Sequence, residues 1–261
     1  MNKTLTIVSK EWAEVFKNRL VLFSVVFLPL IFVAMPLLSI GAMGAFGDEG
    51  GSGGDPIPGA EVLCQGLDEL ECVQVYTLDI FTLMFMILPI MIPVTIAAYS
   101  IVGEKTVRSL EPLLATPITT TELVVGKMLA AVVPAILATW LAYVLYVIGI
   151  NLMTSPTVAS RLTEPLWLLA VFFVGPLLSL LSVCIAIMVS SRVSDPRVAE
   201  QLSGIVILPL ILILVGQSVG FIVLDQELVV LVAAVAIVAD IVLVILAVRL
   251  FERETILTKW K

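Results

Sequence analysis

Few residues in this chain could do chemistry, and their types rule out most of it. Among 261 residues there is no histidine, which removes His-based zinc sites, Ser-His-Asp triads and Cys-His dyads. Gly126-Lys127 is followed by Met128 with no glycine at the spacing a phosphate-cradling loop requires, so no nucleotide is gripped in that way. Of the three cysteines, Cys184 sits in an apolar run and reads as a buried, inert thiol. Cys64 and Cys72 lie in an acidic stretch without other soft ligands, which argues against a metal. They are a disulfide candidate if that stretch faces an oxidising compartment. Asp240 is the one charge in its apolar run, readable as an inter-helix hydrogen bond or an ion site. Gln217 in hydrocarbon needs a partner or touches substrate. Met84, Met86 and Met91 form a soft stretch suited to varied greasy ligands or to packing.

What must position these groups is a set of membrane helices. Apolar residues are 60% of the chain and charged ones 13%, against about 45–50% and about 25% in an ordinary soluble domain. A compact water-soluble fold could not cover that much apolar surface. Six stretches reach the roughly 20 residues that cross a bilayer: 20–46, 80–102, 128–150, 165–190, 202–224 and 228–248. In the last, Asp240 costs roughly 2.5–3.5 kcal/mol, while its Leu, Ile and Val residues together contribute on the order of −6 kcal/mol, so the span inserts. The expected fold is all-α: a single polytopic domain over 1–261.

Charge sets the orientation. With the N-terminus inside, Lys3, Lys10, Lys17, Arg19, Lys105, Arg108, Lys127, Arg192, Arg197, Arg249, Arg253, Lys259 and Lys261 all fall inside; of the 14 basic residues only Arg161 falls outside. Both termini are therefore read as cytoplasmic. The outer loop 47–79 holds Asp48, Glu49, Asp55, Glu61, Asp68, Glu69, Glu71 and Asp79 and no base. No basic face for nucleic acid is present.

Three segments stand out. Over 4–19, Leu5, Val8, Trp12, Val15 and Phe16 recur at helical spacing, predicting an amphipathic helix in the inner interface with Trp12 at headgroup level. The cytoplasmic segment 103–127 is far longer than a plain connector needs. In it Glu104 and Arg108 form an i,i+4 pair, Pro112 and Pro117 bound a break, and Thr119-x-x-Glu122 is a capping box. It reads as a docking surface for a soluble partner. In the fifth span Gly216 and Gly220 make G-x-x-x-G, a helix-packing motif for a dimer seam or for packing inside one subunit. At 195–196, Asp-Pro predicts an N-cap that starts this span, with Arg192 and Arg197 near lipid or partner.

The pattern G-E-K-x-x-x-S-L-E-P-L-L-A-T-P-I-T-x-x-E-L-V-x-G-K over 103–127 resembles the inner loop of type-2 ABC transporter permeases, and K-E-W-A-E-V-F-K-N-R-L over 10–20 is similar to their N-terminal interfacial helix. The resemblance implies the transmembrane subunit of a bacterial or archaeal ABC exporter in the plasma membrane. It implies pairing with a second permease copy, or a paralogue, and docking of a separate ATPase that binds ATP and Mg. This chain itself would bind no cofactor and be no enzyme. ATPase coupling would fall to Glu104, Arg108, Glu111, Thr116, Pro117 and Glu122, and Met84, Met91, Gln217 and Asp240 are candidates for the translocation pathway. The alternative from the residues alone is an ion-coupled secondary transporter using Asp240.

Overall fold

The computed structural model describes residues 3–46, 64, 66–106, 119–222 and 224–250, and among these every regular element is helical. Helix α1 (Lys3–Val15) precedes α2 (Arg19–Phe46). Span two is α3 (Glu69–Phe85) followed by α4 (Leu88–Thr106), and span three is α5 (Thr120–Met153). Span four is built in pieces: α6 (Pro156–Ser160), a 3₁₀ turn, α7 (Pro165–Leu169), a π-helical turn (Ala170–Val174) and α8 (Gly175–Ser190). Span five is α9 (Pro196–Ser203), a 3₁₀ turn and α10 (Leu208–Ser218), and span six is α11 (Gln226–Leu250). Six stretches are long and apolar enough to cross a membrane, so the protein is an all-α polytopic membrane protein.

Span two is the core. Phe85, Leu88, Ile90, Ile92 and Ile96 are almost fully buried, with α4 lying along α8 and α5. The outer surface of α2, α10 and α11 stays apolar and exposed, at Phe23, Leu38, Leu212 and Val238 for example. That distribution suits a helix bundle whose solvent is lipid.

The spans run longer than the uncharged runs of the sequence. Residues 69–79, expected in the outer loop, are helical, and span three begins at Thr120 rather than near 128. An uncharged-run criterion stops at Asp79 and Lys127. Both are buried inside the protein because each has an ionic partner.

Prolines shape the helices in a way that can be traced bond by bond. A proline has no N–H, so the carbonyl four residues before it loses its helical donor. Pro93 orphans the carbonyl of Pro89, and the Ser179 hydroxyl on α8 donates to it at 2.7 Å. Pro134 orphans the carbonyl of Ala130, and the Trp12 indole N–H donates to it at 2.9 Å. Pro89 itself removes the donor for Phe85. The chain there tightens into i→i−3 bonds, Met86 N–H to Leu83 and Ile87 N–H to Met84, and span two breaks at 86–87.

Candidate functional site

The polar residues gather where α4 ends and α5 begins. Ser100 and Glu104 are four residues apart on α4, hence on one face. Lys127 is two turns into α5, past the N-cap of Thr119. Glu11 sits on the buried face of α1 with Ile7, Val8 and Val15. These three helices meet at the Lys127 ammonium. It reaches Glu11 Oε1 at 2.8 Å, Glu104 Oε2 at 2.7 Å and Ser100 Oγ at 3.0 Å, matching its three N–H donors. Ser100 donates to the second Glu11 oxygen at 2.5 Å, and Lys10 reaches Glu104 Oε1 at 2.5 Å and Glu14 at 3.1 Å. Glu11, Glu104 and Lys127 are 2–6% exposed, yet Lys10, Glu11, Glu104 and Lys127 together carry no net charge.

Burial by itself would raise the carboxyl pKa of Glu11. The Lys127 charge and the hydrogen bonds from Lys127 and Ser100 outweigh it and hold Glu11 well below the ordinary carboxylate range. Burial would lower Lys10, but its bond to Glu104 and the charges of Glu104 and Glu11 raise it above its ordinary value.

Close packing completes the clasp. Gly126 has no side chain, and a Cβ there would lie 2.8 Å from Ile7 Cγ2, so this glycine is what lets α1 approach α5. Trp12 on Ala130 fixes the next turn. The indole N–H is thus spent on a backbone carbonyl of α5 and not on a lipid headgroup, a departure from the interfacial placement expected of it. On the far side of α4, Lys105 donates to the carbonyls of Ser191 and Val193 at 3.1 and 3.2 Å, and Thr95 donates to Glu200 on α9 at 2.5 Å. Helix α4 is therefore bonded to α1, α5, α9 and the turn after α8.

The other expected site residues separate into groups. Glu104 is in the clasp, and Glu122 closes the capping box: Glu122 N–H to Thr119 Oγ1 at 3.2 Å, Thr119 N–H to Glu122 Oε2 at 2.8 Å. Arg108, Glu111, Thr116 and Pro117 lie outside the described residues. Asp195 caps α9 through Arg197 N–H at 2.8 Å. Cys64 and Cys72 are joined as a disulfide with Cα atoms 5.1 Å apart, spanned by the left-handed Gly66. Met84 and Met91 flank the break in span two, both half-buried.

Gln217 and Asp240 do not form one site. Gln217 is on α10, which packs on α3, whereas Asp240 is on α11 against α8. Both are buried, and Gln217 Oε1 and both Asp240 oxygens lack hydrogen-bond partners among the described residues. The inter-helix hydrogen bond expected of Asp240 is absent there. The G-x-x-x-G reading needs correction. Helix α10 ends at Ser218 and Gly220 has φ 81°, so Gly220 is the left-handed cap of the helix and not part of a packing face. Phe221 and Ile222 N–H return to the Gly216 carbonyl, and a Cβ on Gly216 would strike Ile222 of the same turn. Gly216 accommodates the chain's own reversal.

At the other end of α5 lies a second cluster that the sequence reading missed. Asp79, 1% exposed, accepts from Arg161 Nε at 3.1 Å and Nη2 at 3.0 Å, and from Trp167 Nε1 at 3.0 Å. Arg161 also holds Glu164 at 2.6 Å. The signal was present: the only outer base, facing a stretch of acids, has to have a partner.

No curated protein matches the chain at a significant level. A family model described as ABC-2 family transporter protein matches residues 5–230, which takes in α1, the clasp, the long cytoplasmic segment and the spans as far as the start of α11. A helical bundle with a neutral ion-pair clasp at the root of that segment, and this match over most of its length, identify the chain as a member of the ABC-2 transporter family, a membrane-embedded permease.

Proposed function

We propose that the protein is the membrane-spanning subunit of an ATP-driven exporter in the plasma membrane of a bacterium or archaeon. It works as a homodimer, or as a heterodimer with a paralogue. A separate ABC ATPase, which binds ATP and Mg, docks on 103–127 of each copy. Closure of the ATPases rocks the two permeases against each other, and substrate leaves by alternating access.

The observation that carries this reading is the clasp. Glu104 and Lys127 stand at the two roots of the segment and are paired with each other, and Lys127 also with Glu11. A push on the segment between them is delivered at once to α1, α4 and α5, and through Lys105 and Thr95 to the elements after α8. In a loose connector the same push would be lost in the loop. Glu104, buried within the clasp, anchors the segment and Glu122 caps α5; Arg108, Glu111, Thr116 and Pro117 are the residues left to meet the ATPase.

The test is co-purification of an ABC ATPase with the protein, followed by reconstitution of the two in liposomes. Glu111→Ala and Pro117→Ala are expected to abolish permease-stimulated ATP hydrolysis while the permease still folds. Wild-type stimulation and export in both variants would refute the coupling role, and vectorial transport by the permease alone would refute the ATP-driven reading.

A further inference from the structure

Span two is fastened differently in its two halves. The inner half, α4, is held by dense apolar packing against α8 and α5, by the Ser179 bond to Pro89 and, at its last turn, by the Glu104–Lys127 pair. The outer half, α3, is cut from it at Met86 and Ile87, where the i→i−4 ladder gives way to tighter turns. Val75, Leu78 and Phe85 of α3 pack in the core, but its ties to the stretch that follows α5 are polar: Asp79 to Arg161 and Trp167, and Glu71 to the Ser155 hydroxyl at 2.7 Å. The Cys64–Cys72 disulfide ties the chain before α3 to its first turn. Of the partners, Ser155 and Arg161 lie in 154–164, which leads from α5 to α7 and is pinned by Tyr143 Oη donating to the Leu162 carbonyl at 2.6 Å, and Trp167 lies on α7 itself.

From this arrangement we propose that α3, together with the 154–164 connection, is the outer gate of the permease, hinged at Met86–Ile87 and latched by the Asp79–Arg161 pair. The proposal rests on the permease reading above. Its physical basis is the nature of the fastening. An apolar seam resists opening because opening wets it. A buried ion pair sits close to balance, its desolvation offset by its attraction, so paired-and-dry and separated-and-hydrated states are near each other in energy, provided both partners are released together. The Arg161 side chain is 24% exposed while Asp79 is 2% exposed, so water can reach the latch from the Arg161 side. Thr82, fully buried one turn below Asp79, lies behind it.

The experiment places a thiol behind the latch by Thr82→Cys in a Cys184→Ser background, with the protein in liposomes and a membrane-impermeant maleimide added outside. Labelling is expected to be slow with the latch intact and to rise at least about tenfold with Arg161→Met, since removing one partner leaves the other charge uncompensated. The neutral pair Asp79→Asn with Arg161→Gln, which keeps hydrogen bonding without charge, serves as the variant that folds and should label at close to the latched rate. Labelling unchanged in Arg161→Met, or raised as much in the neutral pair as in Arg161→Met, overturns the latch. With the co-purified ABC ATPase added, ATP turnover should speed labelling of the latched protein. An ATPase that binds and hydrolyses but leaves labelling unchanged overturns the gate, whereas an ATPase that neither binds nor responds to the permease overturns the permease reading instead.

Discussion

Replacing Lys127 with methionine should unfasten α1 from the bundle. The Lys127 ammonium is 4% exposed and has three acceptors within 3.0 Å. Methionine fills the space of the stem but supplies no charge. Glu104 keeps Lys10, and Glu11 keeps the Ser100 hydroxyl and Lys10 at 3.4 Å, so one carboxylate equivalent remains buried without compensation. Breaking a buried pair in this way costs about 3–5 kcal/mol. At 1.4 kcal/mol per tenfold, the docked-to-undocked ratio of α1 falls by about 10²- to 10⁴-fold. Hydrogen exchange of the amides of α1, followed by mass spectrometry in lipid nanodiscs, reads that ratio directly, because local undocking exposes them without global unfolding. A triple variant, Glu11→Gln, Glu104→Gln and Lys127→Met, removes charges of both signs and should recover most of the lost protection, since neutral replacement of a whole buried ion cluster is close to neutral. Protection of α1 unchanged within about threefold in the single variant, or a triple variant worse than the single, would show that the clasp does not hold α1.

Other outcomes follow from the same geometry. Glu11 has its pKa depressed in the folded protein, so its contribution is complete above its ordinary 4.5 and is lost as pH falls from there toward 2, while Lys10, raised from 10.5, contributes fully at every pH below that; exchange of α1 should therefore be flat from about pH 5 to 10 after correction for intrinsic rates and rise on acidification. Gly126→Val should drive α1 off α5 by at least the about 1–3 kcal/mol of overpacking, because even its Cβ would lie 2.8 Å from Ile7, and the same exchange measurement tests it. Ser179→Ala leaves the Pro89 carbonyl buried without a donor and should lower stability by about 1–3 kcal/mol, seen as a lower Tm in detergent, with the effect vanishing in a Pro93→Ala background that restores the backbone donor. Trp12→Phe should cost about 1 kcal/mol through the Ala130 carbonyl, again removed by Pro134→Ala.

Class and frame were legible without any tertiary contact. Composition demanded a bilayer and the spacing of apolar runs set six spans, because insertion is decided locally by each segment's transfer free energy, while the distribution of Lys and Arg predicts their direction. Local chemistry was legible as well: the Thr119–Glu122 capping box and the Asp195 cap involve residues two or three apart. Tertiary structure alone decided which distant residues meet. Glu11 and Lys127 are 116 positions apart, and Asp79 and Arg161 are 82 apart. Nothing in a linear pattern tells a buried, paired charge from a solvated one, which is why the spans were read too short at Asp79 and Lys127. The G-x-x-x-G pattern failed for the related reason that a glycine serves equally to admit a neighbouring helix or to end its own, and only the backbone turn at Gly220 distinguishes them. The carbonyls left open by Pro93 and Pro134 could have been marked in advance; that Ser179 and Trp12 would fill them depended on how the helices pack.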